Sequence, residues 1–184
     1  VFGGLYFPHL RKTTYKHLIN AEKIVDGKTQ LGPQWMKKEE FDFDLDGRPE
    51  VLVSTPLLNA YFRPSVGASL FELDYKPQNL NLLTILTRRK EAYHEEIIRA
   101  SLFNSKSNVE NKGVKSIHNM EKVKDKNLAK YLHYDWYERV SLVDHFLHPD
   151  TKIDDFSTCQ YGEQGDFVDQ PYTCLLYTSD AADE

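Results

Sequence analysis

The sequence predicts a mainly β fold entered through one N-terminal helix, and three observations carry that expectation. Across Val1 to Lys28, Phe7, Leu10, Thr14, Leu18, Ala21 and Val25 recur at spacings of three and four, the period of a helix face. From Trp35 the texture changes to short extended runs broken by Gly, Pro and Asn, the mark of antiparallel strands and turns. A composition of 40% hydrophobic, 28% charged and 12% aromatic residues over 184 positions suits a chain that buries a core, which excludes disordered and collagen-like classes.

Each element has its local reason. Pro8 suits a first helical turn, where its missing N–H costs nothing, and Asp26-Gly27 supplies a stop. The apolar stripe of this helix requires a partner surface, part of which is expected upstream of Val1. Glu50 to Ser54, Leu57 to Arg63 and Ala68 to Tyr75 read as strands, with Pro64 to Gly67 as the turn between the second and third. Leu82 to Ile98 has helical propensity. Asn104 to Asn127, rich in Asn and Lys, reads as a solvated excursion. Asn127 to His133 suggests a short helix, Tyr134 to Leu147 a buried strand pair, and Gly165 to Tyr172 a further strand. No internal repeat is found.

Several function classes fall away. A formal charge of −5 argues against a phosphate backbone as the main partner. No apolar run reaches the length of a membrane span. Two cysteines do not make a disulfide framework. The chain begins at Val1 rather than Met, with no leader pattern, and reads as a piece of something longer.

The densest chemistry lies in EFDFDLDGRPEVLV, which offers Asp42, Asp44, Asp46 and Glu50 around Gly47. Oxygen ligands at loop positions one, three, five and nine, with Gly at six, match the start of a calcium loop. Val53 stands where an EF-hand needs its last glutamate, so an EF-hand is not expected. Two readings stay open: a structural calcium loop preceding a strand, or a plain hairpin in which Phe41, Phe43 and Leu45 alternate with aspartates before an Asp46-Gly47 turn. Other patterns fail. His94-Glu95-Glu96 begins like a zinc-protease helix, but Ile98 replaces the second histidine. Asp144-His145 has no G-x-S-x-G nucleophile to serve, and there is no glycine-rich phosphate loop. Cys159 among polar residues reads as incidental.

Four ordered blocks carry a resemblance: FGGLYFPHLR (Phe2 to Arg11), DFDLDGRPEVLVSTPLLNAYFRPSVGASLFELDYKP (Asp42 to Pro77), YERVSLVDHFLHPD (Tyr137 to Asp150) and GDFVDQPY (Gly165 to Tyr172). Together they resemble glycoside hydrolase family 57-like 4-α-glucanotransferases and α-amylases, the group with a seven-stranded catalytic barrel. The resemblance implies a partial, mutarotase-like β-supersandwich truncated at both ends. Residues 1–28 would end the helical middle domain, and 29–173 would form the N-terminal part of the C-terminal sandwich. It implies a retaining two-carboxylate mechanism whose residues sit in the barrel, upstream of Val1, so no catalytic role passes to any carboxylate here. Phe2, Gly3 and Gly4 would lie beside the substrate cleft, where small residues let backbone approach a ligand, or would simply form a tight loop before the helix. The implied partners are an α-glucan or maltooligosaccharide substrate of the parent enzyme and the missing barrel, with a homodimer left open; the implied compartment is the cytoplasm, and the only implied cofactor is structural calcium.

Cys174 to Glu184 resembles, in one reading frame, a translated transposase-end sequencing adapter, and is set aside from the fold. Without it Asp180, Asp183 and Glu184 are gone, the charge falls from −5 to −2, and Cys159 is the one natural cysteine left. Two further functional classes compete with the buttressing sandwich. One is a carbohydrate-binding module using Tyr61, Phe62, Tyr93, Trp136 and Tyr137, and the other a calcium-stabilised spacer. Aromatics in strands are more often core than binding platforms.

Overall fold

The computed structural model describes residues 7–29, 32–106 and 127–173. Two compact units divide the chain: Val1–Leu86 with Arg139–Pro149 and Gly162–Glu184, and Thr87–Glu138 with Asp150–Tyr161.

The first unit is an antiparallel meander with a helix packed on it. Helix α1 spans Pro8–Lys28 and starts, as expected, with Pro in its first turn. The strands are β1 (Lys37–Phe41), β2 (Glu50–Ser54), β3 (Leu58–Arg63), β4 (Ser69–Tyr75) and the short β5 (Leu80–Asn81), in that order across the sheet. The three strands read from sequence are found to within a residue. Between Tyr61 and Phe62 the register shifts, because Tyr61 opposes Glu72 while Phe62 opposes Leu70. This bulge leaves Phe71 over and sets its ring 6.0 Å from Tyr61. The β3–β4 turn needs Gly67, whose φ of 64° is the left-handed region, and its N–H donates to the Gln170 carbonyl.

Helix α1 does not dock through its apolar stripe. Ile19 is 1% exposed, and Glu22, Lys23 and Asp26, one turn and two turns along the same face, all bond to the sheet or the turn after it. Phe7, Leu10, Leu18 and Val25 remain 43–62% exposed. Burying Ile19 contributes about 2 kcal/mol, and the polar contacts fix which face is used.

The expected strand pair over 134–147 and the strand over 165–172 are not formed. Within the first unit this region makes only two isolated bridges, Leu70 to Ser141 and Leu147 to Glu163. Leu142, Gly165 and Asp169 hold φ near 60°, 98° and 63°, values no ladder tolerates in sequence. The 165–172 segment instead caps the β3–β4 turn, with the Tyr172 N–H donating to the Pro64 carbonyl at 2.8 Å.

The second unit holds helix α2 (Ala92–Lys106), a 3-10 turn at Leu128–Tyr131 and helix α3 (Ile153–Thr158). The helix expected over 82–98 therefore begins ten residues later, after an extended stretch. The short helix near 127–133 is present as the 3-10 turn. Most of the Asn- and Lys-rich excursion lies outside the described residues. The Asp135 side chain, fully buried, is gripped by the Arg88 guanidinium and also accepts the Arg88 backbone N–H at 2.7 Å. Its carboxylate raises the Arg88 pKa further through hydrogen bonding. Phe156 stacks on Tyr161 at 5.1 Å, and Trp136 meets Tyr161 and Tyr137.

Candidate functional site

The loop between β1 and β2 brings three of the four predicted ligands together. One carboxylate oxygen each from Asp42, Asp44 and Glu50 lies within 4.8 Å of the others, so this cluster could hold a metal ion. The antiparallel pairing explains the meeting: Phe41 opposes Glu50, which brings the start of the loop back over the start of β2. Glu50 is 0% exposed; its Oε2 accepts the Phe43 N–H at 2.8 Å, while Oε1 is buried without a partner. Asp42 accepts the Asp46 and Gly47 N–H groups, each at 3.0 Å. Asp44 accepts the Asp46 N–H at 3.2 Å and pairs with Arg63 at 3.0 Å. Asp46 does not join the cluster, because its carboxylate turns to the Arg48 N–H at 2.8 Å. Gly47, at φ 88°, supplies the left-handed turn the sequence led one to expect.

A second carboxylate group, which sequence reasoning missed, lies where α1 crosses the sheet. Tyr61 OH donates to Glu22 Oε1 at 3.0 Å and Asn59 Nδ2 to Glu22 Oε2 at 2.7 Å. Across the ladder Tyr61 opposes Glu72 and Asn59 opposes Asp74, so Glu22, Glu72 and Asp74 share one face. Asp74 is 1% exposed, and its carboxylate is hydrogen-bonded to the neighbouring Glu72 carboxyl. Burial, with the Asp74 charge beside it, pushes Glu72 up to about 8. Burial also pushes Asp74 up to about 6, partly offset by contact with Glu72. Burial and the neighbouring Glu22 raise the Tyr61 phenol as well, so it stays a neutral donor. Above this face opens a cavity of about 950 Å³, lined by Leu10, Leu18, Leu83, Ile85, Glu22 and Glu72 among others. The one signal in the sequence was Glu72-Leu73-Asp74, two carboxylates of the same parity inside a buried strand.

The remaining candidates take structural places. Phe2, Gly3 and Gly4 lie outside the described residues, as does Cys174 to Glu184. His94 Nδ1 accepts the Glu91 N–H at 3.2 Å and sits 3.1 Å from Tyr134 OH, so this nitrogen secures the start of α2. Asp144 and His145 go separate ways: Tyr172 OH donates to Asp144 at 2.9 Å, and His145 Nδ1 faces Glu163 at 2.7 Å. Cys159 ends α3 in the left-handed conformation at φ 59°. Of the aromatic candidates, Tyr61 and Tyr137 are buried, Phe62 is half-buried, and Tyr93 and Trp136 are about half exposed. Among the described residues no helix is long and apolar enough to cross a membrane.

Comparison with known proteins adds a relation to this geometry. The family model described as alpha-amylase/4-alpha-glucanotransferase, C-terminal, matches residues 42–182. The 4-alpha-glucanotransferase of Thermococcus litoralis is 36% identical over 172 residues, which cover 94% of this chain and 24% of that protein. Alpha-amylase 1 of Dictyoglomus thermophilum is 38% identical over 155 residues, covering 84% of this chain and 21% of its own length. The crystal structure of the Thermococcus litoralis 4-alpha-glucanotransferase superposes with a TM-score of 0.69 at 33% identity, over 93% of this chain and 21% of that one. The chain thus spans about a quarter of the length of the relatives it matches.

Proposed function

The chain belongs to the alpha-amylase/4-alpha-glucanotransferase C-terminal family, and from that premise we propose that it is the non-catalytic β portion of an α-1,4-glucan-processing enzyme. In this reading α1, within residues 1–28, ends a helical middle domain, and the sheet begins a sandwich that buttresses a catalytic barrel encoded upstream. The parent acts on α-glucans or maltooligosaccharides by a retaining two-carboxylate mechanism. One observation carries the proposal: nearly all of this chain aligns with about a quarter of a 4-alpha-glucanotransferase. The uncovered apolar stripe of α1, with Leu18 at 55% and Val25 at 62% exposed, fits a helix that has lost a neighbour. Recovering the upstream gene tests it. A reading frame that continues into a barrel with a Glu nucleophile and an Asp acid/base supports the proposal, and a different domain there overturns it.

The acidic loop has its own role in this reading: Asp42, Asp44 and Glu50 hold a structural calcium ion. Hard carboxylate oxygens suit that cation, and the partnerless Glu50 Oε1 is the atom a cation would satisfy. When bound, the ion would neutralise the mutual repulsion of the cluster. It would take no part in glycosyl transfer.

A further inference from the structure

We propose that Glu72 and Asp74 share one proton, and that this proton latches α1 to the sheet: when it passes to solvent, the helix opens while strands β2 to β4 stay folded. The face between helix and sheet is short of hydrogens. Asp74 is 1% exposed, and among the described residues no N–H donor reaches either of its oxygens; its hydrogen bond is with the Glu72 carboxyl. Two carboxylates offer acceptors alone, so a hydrogen bond between them exists only if one carries the proton. The other hydrogens here are already used, because Tyr61 OH and Asn59 Nδ2 both go to Glu22, at 3.0 and 2.7 Å. Asn59 Oδ1, buried without a donor, adds one more acceptor. The face therefore closes in a protonated state.

The pair stands at a seam. Glu72 and Asp74 belong to β4, while Glu22 belongs to α1 and is its anchor on Asn59 and Tyr61. Loss of the shared proton sets two carboxylates of the sheet against one of the helix, and like charges in a buried setting repel strongly. The other groups facing the pair do not absorb that charge. From α1, the Tyr15 phenol is raised by burial and by the Glu72 and Asp74 charges, so it stays neutral, and Arg11 donates to the Thr84 carbonyl at 3.4 Å. Lys23 donates to Asn79 at 2.9 Å. From β3 comes Tyr61, also held neutral. Beyond β4, Lys76 attracts Asp74 but is paired with Asp26 and the Thr55 carbonyl. From β5 the residue opposite Asp74 is the uncharged Asn81. The repulsion is relieved by lifting the element that no ladder holds, which is α1. Ile19 is buried there, but Leu10, Leu18 and Val25 are largely exposed, and a released helix of 21 residues is marginal in water. Glu72 lines the cavity beside the helix, which gives the proton its way out.

The closed form keeps a proton that the open form gives up. Opening is therefore favoured as pH rises, and the gain levels off above the closed-state Glu72 value of about 8. Digestion of the 184-residue chain with proteinase K at pH 6 and pH 8.5, read by mass spectrometry, tests this, because cleavage of a folded chain tracks the population of its open form. Cuts within residues 8–28 report the helix, and cuts within 50–75 report the sheet. Each rate is divided by that of Glu72→Gln at the same pH, which cancels the protease's own pH dependence. The glutamine amide keeps a hydrogen available to Asp74 at every pH. The expected result is that the helix is cut before the sheet, and that the wild-type to variant ratio for the helix rises about tenfold between the two pH values. If Glu72→Gln does not fold, Asp74→Asn replaces it and donates to Glu72 in the same way. Equal rates for helix and sheet would mean that α1 opens only with the whole fold, and a flat ratio would mean that the proton does not govern the helix; either result overturns the proposal. In the proposed parent enzyme the latch lies where the helical middle domain meets the sandwich. That placement rests on the parent reading, whereas digestion of this chain decides the latch without it.

Discussion

Lys76 places its ammonium 2.7 Å from the Asp26 carboxylate, tying the last turn of α1 to the turn that follows β4. The pair is unequal in burial. The Lys76 side chain is 2% exposed, with the Trp35 ring 4.9 Å from its Nζ and the Thr55 carbonyl at 2.8 Å, whereas the Asp26 side chain is 31% exposed.

That inequality sets the cost of breaking the pair from either side. Asp26→Ala leaves a buried ammonium without the carboxylate it touches, and should cost about 3–5 kcal/mol of unfolding free energy. Lys76→Met leaves a carboxylate that water can reach and should cost about 1 kcal/mol. Urea unfolding of both variants checks this; equal losses would show that the charge on Lys76 is not desolvated.

Glu72 and Asp74 should make the fold lose stability with rising pH. Their folded values, about 8 and about 6, lie above ordinary ones of 4.5 and 3.8, so the native state holds protons the unfolded chain releases. This contribution is complete below about pH 4 and is lost as pH rises through 8. Between pH 5 and 8.5 the expected fall is on the order of 1–2 kcal/mol, allowing for solvent screening. Glu72→Gln should flatten most of that slope in urea midpoints measured across the range. A wild-type slope retained in the variant would place the titration elsewhere.

Calcium should raise the thermal midpoint of the chain, and a chelator should reverse the gain. At a free concentration one hundred times the dissociation constant the expected stabilisation is about 2.7 kcal/mol, or several degrees for a chain of this size. Glu50→Gln should abolish the response while Asp46→Asn, whose carboxylate serves the Arg48 N–H, should retain it. A midpoint indifferent to calcium leaves the loop as a hydrogen-bonded turn alone.

In the second unit Asp135→Asn should be among the most damaging single changes, at about 3–5 kcal/mol, because it weakens a buried carboxylate that binds both the guanidinium and the backbone N–H of Arg88. Arg88→Lys should not rescue the geometry, since an ammonium cannot reproduce the fork. Near-wild-type stability for Arg88→Lys would mean a simple charge contact suffices.

Much of the first unit was legible because its signals are local. Strands β2 to β4 announce themselves through β-branched and aromatic runs bounded by Pro and Gly, and the Asp42 loop through the spacing of its carboxylates. Residues 134–147 carry a similar aromatic and apolar alternation but form no ladder. There the backbone turns left-handed at Leu142, which side-chain pattern does not encode. The face on which α1 docks was also hidden, since it is set by Glu22 and Asp26, whose partners Asn59, Tyr61 and Lys76 lie far along the chain. For the same reason the second carboxylate group escaped notice: Glu22 stands fifty residues from Glu72, and only tertiary packing joins them.

The central claim is that this chain carries family membership without the catalytic machinery. Incubating the purified 184-residue chain with maltotriose, and resolving the products by chromatography, tests it most directly. The expected result is unchanged maltotriose, with neither glucose nor longer oligosaccharides formed. Steady accumulation of glucose together with maltotetraose or maltopentaose would contradict it, because a complete pair of catalytic carboxylates would then have to lie within these residues.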